Sequence, residues 1–153
     1  MKPSMLPVAF LVLLLLPAAA LPADSQPVVR TDPVLEQATK TIAAKDWPQA
    51  QALLKDAIGR NPGNADYHNL YAYSIRKGPN PDMSLVFKHY NEALRIDPKH
   101  KGAHEYVGEA YLMVGNVAKA KEHLAALDRI CFFGCDEYSL LKKAVAEFEA
   151  KGK

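Results

Sequence analysis

The sequence predicts an all-α protein built from successive helix pairs, and three observations carry that reading. From Asp32 onward apolar residues recur at helical spacing, with no convincing run of strand-type alternation. Stop signals fall at nearly even intervals, because Asn61-Pro62-Gly63-Asn64 and Asp97-Pro98 stand 36 residues apart, Pro to Pro. A proline past a helix end cannot continue the helix and pushes the residue before it out of the α region. Small residues also return at matched places when the chain is compared with itself.

The first stretch reads as a targeting segment rather than as part of the fold. Lys2 supplies a positive start, and residues 5–16 form an apolar run broken only by Pro7. Pro17 ends the run, and small residues follow through Ala20 and Ala23. This is the layout of a secretory signal peptide over 1–23, with cleavage after Ala20 or Ala23. An uncleaved anchor is the alternative, but about 12 apolar residues fall short of the roughly 20 that span a bilayer. No cysteine lies near the cleavage region for lipid attachment. The expected product is a periplasmic or secreted protein without stable membrane insertion.

Cleavage there removes one charge, Lys2, from 19 Lys plus Arg set against 17 Asp plus Glu. A near-neutral chain has no single-sign field to attract nucleic acid or an anionic membrane. Residues 24–30 are polar, contain Pro27 and lack periodicity, so they read as a flexible leader.

The helix pairs then follow in order. Asp32-Pro33 is an N-cap followed by proline at the first helical position. Asp46, Asp82 and Asn116 each stand just before the second helix of a pair, where a side-chain oxygen can satisfy an orphan backbone N–H. Each such cap contributes about 1 kcal/mol over alanine.

Ala43-Ala44-Lys45-Asp46-Trp47-Pro48-Gln49-Ala50 with Leu54, Ala57 and Pro62 aligns with a copy ending Tyr90-Asn91-Glu92-Ala93-Leu94-Arg95-Ile96-Asp97-Pro98. A third copy holds Val107-Gly108-Glu109-Ala110-Tyr111, Gly115-Asn116, Ala120, Leu124 and Leu127. These residues resemble the tetratricopeptide repeat (TPR), a 34-residue helix-turn-helix unit, and the ending from Cys131 to Phe148 resembles the tails of small exported bacterial proteins of that family. The repeats fall at about 31–64, 65–100 and 101–134. Their eighth positions are Ala38, Ala72 and Gly108, their twentieth Ala50, Val86 and Ala120, and their twenty-seventh Ala57, Ala93 and Leu127. Small residues let two antiparallel helices approach to about 8–10 Å, with larger Leu54, Tyr90 and Leu124 beside them. The resemblance implies a right-handed array.

Three departures stand out. Gln37 and Thr41 occupy places where large apolar residues are usual, so the first repeat's outer helix should be the loosest. Two extra residues around Gly78-Pro79-Asn80-Pro81 lengthen the turn inside the second repeat. The third repeat has Phe132 where proline would close the unit. Beyond it, Tyr138, Leu141, Val145 and Phe148 recur at helical spacing over 136–150, a solvation helix that covers the last repeat.

What the resemblance implies for function concerns the first helix of each pair, which lines a concave surface. Its inward positions are Asn69, Tyr73, Arg76 and Lys77 in the second repeat, and Glu105, Tyr106, Glu109 and Met113 in the third. Such a mixed groove suits a peptide or helix of a protein partner, and tyrosine offers large contact area at low entropic cost. The plain alternative is that Tyr73 and Tyr106 pack against each other or a neighbouring helix. Relatives that grip a chaperone's C-terminal carboxylate use Lys, Asn and Arg at positions that hold Leu35, Thr39, Leu70, Gly102 and Tyr106 here. That clamp is missing.

Cys131-Phe132-Phe133-Gly134-Cys135 reads as a disulfide staple at the turn into the last helix, worth roughly 2 kcal/mol by loop entropy. Phe132 and Phe133 would tuck into the gap left by the missing proline. A redox dithiol or a soft-metal site is the alternative. His100 and His104 are four apart, yet His100 should precede its helix, and His104 repeats the position of His68, which argues packing rather than metal binding. Trp47 reads as packing in its pair's turn. No nucleophile elbow, phosphate-cradling loop, HExxH or DxDxDG occurs, so no catalytic residue, metal or cofactor is assigned. The resulting expectation is a non-enzymatic adaptor of the cell envelope. Redox or metal work through Cys131 and Cys135, or self-association through array ends, are its competitors.

Overall fold

A computed structural model describes residues 32–152. The proposed signal peptide and leader lie outside the described residues. Seven helices follow one another: α1 (Pro33–Ala43), α2 (Trp47–Arg60), α3 (Ala65–Lys77), α4 (Met83–Ile96), α5 (Lys101–Met113), α6 (Val117–Ile130) and α7 (Asp136–Lys151). No strand occurs among the described residues. Helices α1 and α2, α3 and α4, and α5 and α6 form the three pairs, and α7 packs on α5 and α6.

The cap residues act as their chemistry requires. Asp32 accepts from the backbone N–H of Val34 and Leu35, Asp46 from Gln49, Asp82 from Ser84 and Leu85, and Asn116 from Lys119. The first helices of the second and third pairs are capped by Asn64 and His100, the latter accepting from Ala103 N–H through Nδ1 at 3.1 Å. His100 thus sits before its helix, as expected. The longer turn is there too, spanning five residues between α3 and α4 against three in the other pairs. At one equivalent point of the shorter turns the backbone is left-handed, with φ +58° at Lys45 and +76° at Gly115. Glycine adopts that conformation freely and lysine does not.

The apolar interior is continuous from pair to pair. One cluster holds Ala38, Leu54, Ala57 and Tyr67, a second Ala72, Ile75, Val86, Tyr90, Val107 and Ala110, and a third Leu112, Ala120, Leu127, Leu141 and Val145. The eighth, twentieth and twenty-seventh positions of each repeat are buried, as are Leu54 and Tyr90, while Leu124 is partly buried. The large side chain of Tyr90 is sealed completely, a burial that stabilises by roughly 2–3 kcal/mol. Gly108 explains how α7 comes so close, since a Cβ there would lie 2.6 Å from Leu141 Cδ2. Thr41, expected to loosen the first repeat, is buried with its hydroxyl donating to Ala38 C=O at 2.8 Å. Its own helix satisfies the polar group.

A pair of histidines recurs inside the second and third helix pairs. His68 and His89 meet Nδ1 to Nδ1 at 2.8 Å, and His104 and His123 at 3.0 Å. Nε2 of His68 faces Pro62 C=O, and Nε2 of His104 faces Pro98 C=O, each at 3.0 Å. A carbonyl only accepts, so Nε2 carries the proton and Nδ1 is left to accept from the second ring. Burial, followed by the neighbouring imidazole, pushes His89 and His123 down to about 4. Packing is therefore the role of His104, and the repeated turn proline supplies its anchor.

One expectation about the last turn fails. Phe132 and Phe133 do not tuck inward but stand 85% and 97% exposed. The space they were assigned is filled by Cys131, Ile130 and Tyr138, which pack against the third cluster. Two residues at the apex of so short a connection have no direction to turn but outward.

Candidate functional site

Helices α3, α5 and α7 present successive faces on one side of the array, and a cleft of about 640 Å³ opens between their C-terminal ends. The residues assigned from sequence fall on this face in two groups.

Arg76 organises the first group. Its side chain is almost wholly buried, with Nη2 donating to Glu109 Oε2 at 2.7 Å and Nε to Tyr90 Oη at 3.3 Å. The guanidinium carbon lies 5.5 Å from the Tyr73 ring centroid and 5.8 Å from that of Tyr106, close enough for cation–π attraction. Burial opposes the charge on Arg76, but Tyr90 and Glu109 outweigh it and hold the pKa above its ordinary value. The tyrosine rings pack on each other with centroids 4.7 Å apart, and the edge of Trp47 meets Tyr73. Both are half-buried, so the plain reading of mutual packing is realised while a part of each ring remains open. Arg76 and Glu109 are committed to each other. They brace α3 against α5 and shape the surface that a ligand would meet.

The second group lies toward the N-terminal end of α5. Glu105 is 5% exposed and Asn69 is 4% exposed, more deeply set than groove contacts read from sequence would suggest. Burial raises Glu105 to about 7, with further contributions from Glu109, Glu137 and Asp136 that the Arg76 charge only partly offsets. Burial and then Glu105 push the Tyr106 hydroxyl up to about 12. Lys77 and Met113 are exposed and line the cleft at the other end.

Sequence reasoning missed the contribution of α7. Ala144, Glu147, Phe148 and Lys151 line the same cleft with Leu112. Their spacing of three to four residues is visible in the sequence, but apolar periodicity announces only the face that covers the last repeat. A last helix that shields the interior with one face still exposes another beside α5.

Cys131 and Cys135 are joined in the structure, with Cα atoms 5.6 Å apart. They lie at the far side of the turn from the cleft residues in sequence, and Glu137 brings a carboxylate within 4.8 Å of both sulfurs. Sulfurs bonded to each other do not offer the thiolates a soft metal needs. No helix of the described residues is long and apolar enough to cross a membrane.

No family model matches the chain. An inactive TPR repeat-containing thioredoxin of Arabidopsis thaliana is 31% identical over 98 residues, which is 63% of this chain and only 13% of that protein. Among solved structures, the TPR2B-domain:pHsp70 complex of yeast Sti1 superposes with a TM-score of 0.67 at 20% identity, covering 78% of this chain and 99% of the other. The Yersinia enterocolitica type III secretion chaperone SycD, in complex with a peptide of the translocator YopD, gives 0.66 at 11% identity, covering 79% and 93%. At such identities the likeness is one of fold.

Proposed function

We propose that this chain, which has the tetratricopeptide-repeat fold, is a non-enzymatic adaptor that holds a segment of a partner protein against α3, α5 and α7. The observation that carries this reading is the face itself. Tyr73, Tyr106 and Arg76 are fixed by one another beside an open cleft rimmed by Met113, which is 54% exposed, and by Phe148. A rigid aromatic platform, braced by the Arg76–Glu109 ion pair, next to an accessible apolar rim suits segment recognition, because little entropy is lost on binding. The Sti1 structure is a complex with pHsp70 and the SycD structure one with a peptide of YopD, which supports the reading.

The same proposal places the protein outside the cytoplasm, in the periplasm or beyond. Support comes from the signal-like pattern over residues 1–23 and from a cysteine pair positioned to form a staple, which an oxidising compartment permits. Cell fractionation with the mass of the mature protein tests it, and a retained residue 1 in the cytosolic fraction rejects it. A redox reading of Cys131 and Cys135 remains the competitor, motivated by their proximity to Glu137. Thiol counting across a series of glutathione potentials separates the two, since a structural staple stays oxidised where a working dithiol turns over.

For the adaptor role, a photo-crosslinking side chain is placed at Met113 or, on α4, at exposed Lys88, in the cells that make the protein. A partner caught from Met113 and not from Lys88 is the expected result. Equal capture at both positions, or none at Met113, removes the groove reading.

A further inference from the structure

We infer that the groove takes a partner segment bearing a lysine or arginine side chain at Glu105 and an apolar side chain about four residues away, in the Met113 cleft. This deepens the adaptor reading and rests on it. The argument begins with two buried groups that the fold leaves without partners. Glu105 is 95% buried, and no side chain or backbone N–H donates to it among the described residues. Asn69 Oδ1 is the one side-chain polar atom that is both sealed and unpaired among the described residues. Glu105 meets only the second of those conditions, so its oxygens keep a window to solvent.

An unpaired buried acceptor costs roughly 1–3 kcal/mol, and more when charged. Asn69 bears that cost in full and Glu105 in part, and their adjoining first-helix faces mark a place where something that donates is missing. Asn69 reaches the first turn of α5, where its Nδ2 would lie 3.3 Å from a Cβ on Gly102. Glu105 lies one turn further along α5.

The charges around this place decide which donor fits. Glu109 is one turn further on, and Asp136 and Glu137 occupy the first turn of α7. Arg76 is the nearby cation, and its Nη2 is already spent on Glu109. Burial and these neighbouring carboxylates raise the Glu105 proton affinity, which is the same need for positive charge expressed in the absence of a ligand. A lysine or arginine head group supplies the charge and several N–H donors at once.

The second anchor follows from helix geometry. Glu105 and Met113 are eight residues apart on one helix, a rise of about 12 Å. An extended segment covers that distance in about four residues. At the far end Leu112, Met113, Ala144 and Phe148 form an apolar seat, with Lys77, Glu147 and Lys151 at its rim. An apolar side chain fits this seat, which sets the order of the two anchors along the groove.

The test is an NMR titration of the full chain with acetylated, amidated nine-residue serine peptides. Each carries one lysine and one phenylalanine four positions away, in both orders along the peptide. Matched peptides replace the lysine with norleucine or glutamate. The lysine peptide should bind at least about tenfold more tightly than either. Glu105→Gln should erase that difference, and Glu105→Asp should restore part of it. Groove resonances that shift equally with all three peptides overturn the cation site but leave the groove standing. No shift with any peptide overturns both. The peptide comparison on the unaltered protein stays decisive even if a variant folds poorly.

Discussion

The interior between the helices and the face formed by α3, α5 and α7 obey different rules in this protein. Inside the pairs, equivalent positions hold equivalent chemistry: small residues at the close approaches and, in the second and third pairs, a histidine bonded to a second histidine with a turn proline carbonyl to anchor it. On the outer face, Asn69 and Glu105 occupy the same position of successive repeats and share nothing, and Tyr73 corresponds to Glu109. Polar groups inside the pairs find partners, whereas the outer face keeps two buried acceptors without them. Repetition therefore tracks what the fold needs. Departure from it, combined with unpaired buried polarity, tracks what a ligand would supply.

The strongest way to break the comparison is at Tyr90, which belongs to both regions through its sealed ring and its contact with Arg76. Tyr90→Ala should cost about 3–5 kcal/mol in urea unfolding, while Tyr90→Phe should cost only about 1 kcal/mol. Comparable losses in the two variants would mean that the hydroxyl contact, and not the packed ring, holds the second repeat.

Gly108→Ala probes the close approach of α7. Alanine is the better helix former, by roughly 1 kcal/mol, yet its Cβ would overlap Leu141. A net destabilisation of about 1–2 kcal/mol is expected, with increased protease sensitivity confined to α7. An unchanged or raised melting temperature would show that α7 adjusts freely.

The two regions should also respond to pH with opposite sign. His89 and His123 are held down at about 4 in the folded protein, so the unfolded chain binds more protons below about 6.5. Their contribution is full above that value and is lost as pH falls through about 4. Glu105 is raised to about 7, so the folded protein binds its proton more tightly than the unfolded chain does. Its contribution is full below the unfolded value of about 4.3 and is lost as pH rises through about 7. Glu105→Gln should therefore raise the melting temperature at pH 8, with a gain that vanishes toward pH 4.5. A constant gain across that range would contradict the burial assigned to this carboxyl.

The smallest effect is expected at Lys45. Its φ of +58° matches the turn in which the third pair uses Gly115 at +76°. Lys45→Gly should stabilise by about 0.5–1 kcal/mol, measured by chemical denaturation. Destabilisation would mean that the lysine side chain makes up for its backbone strain.

Much of this architecture was legible because its signals are local. Asp46, Asp82 and Asn116 cap where they were expected to, since a cap needs only a side-chain oxygen and the N–H groups two or three residues on. The buried Ala38, Ala72 and Gly108 were legible because a close approach leaves no room for anything larger. Phe132 and Phe133 were misread because the side chains that fill the space beside them, Ile130 and Tyr138, come from two different helices. The α7 contribution to the cleft was missed for a related reason. One face of that helix announces itself by its apolar spacing, and the other is defined only by what stands next to it.

By itself, then, the sequence determined the all-α repeat class, the helix ends and the small residues at each crossing, all of which depend on neighbours within a turn or on a constant period. Tertiary structure alone decided that Arg76 is spent on Glu109, that the histidines pair, and that Asn69 and Glu105 are buried without donors. Those facts depend on which side chains meet from helices some 20 to 35 positions apart. A hydrogen bond is decided at about 3 Å, a precision that periodicity along the chain does not carry.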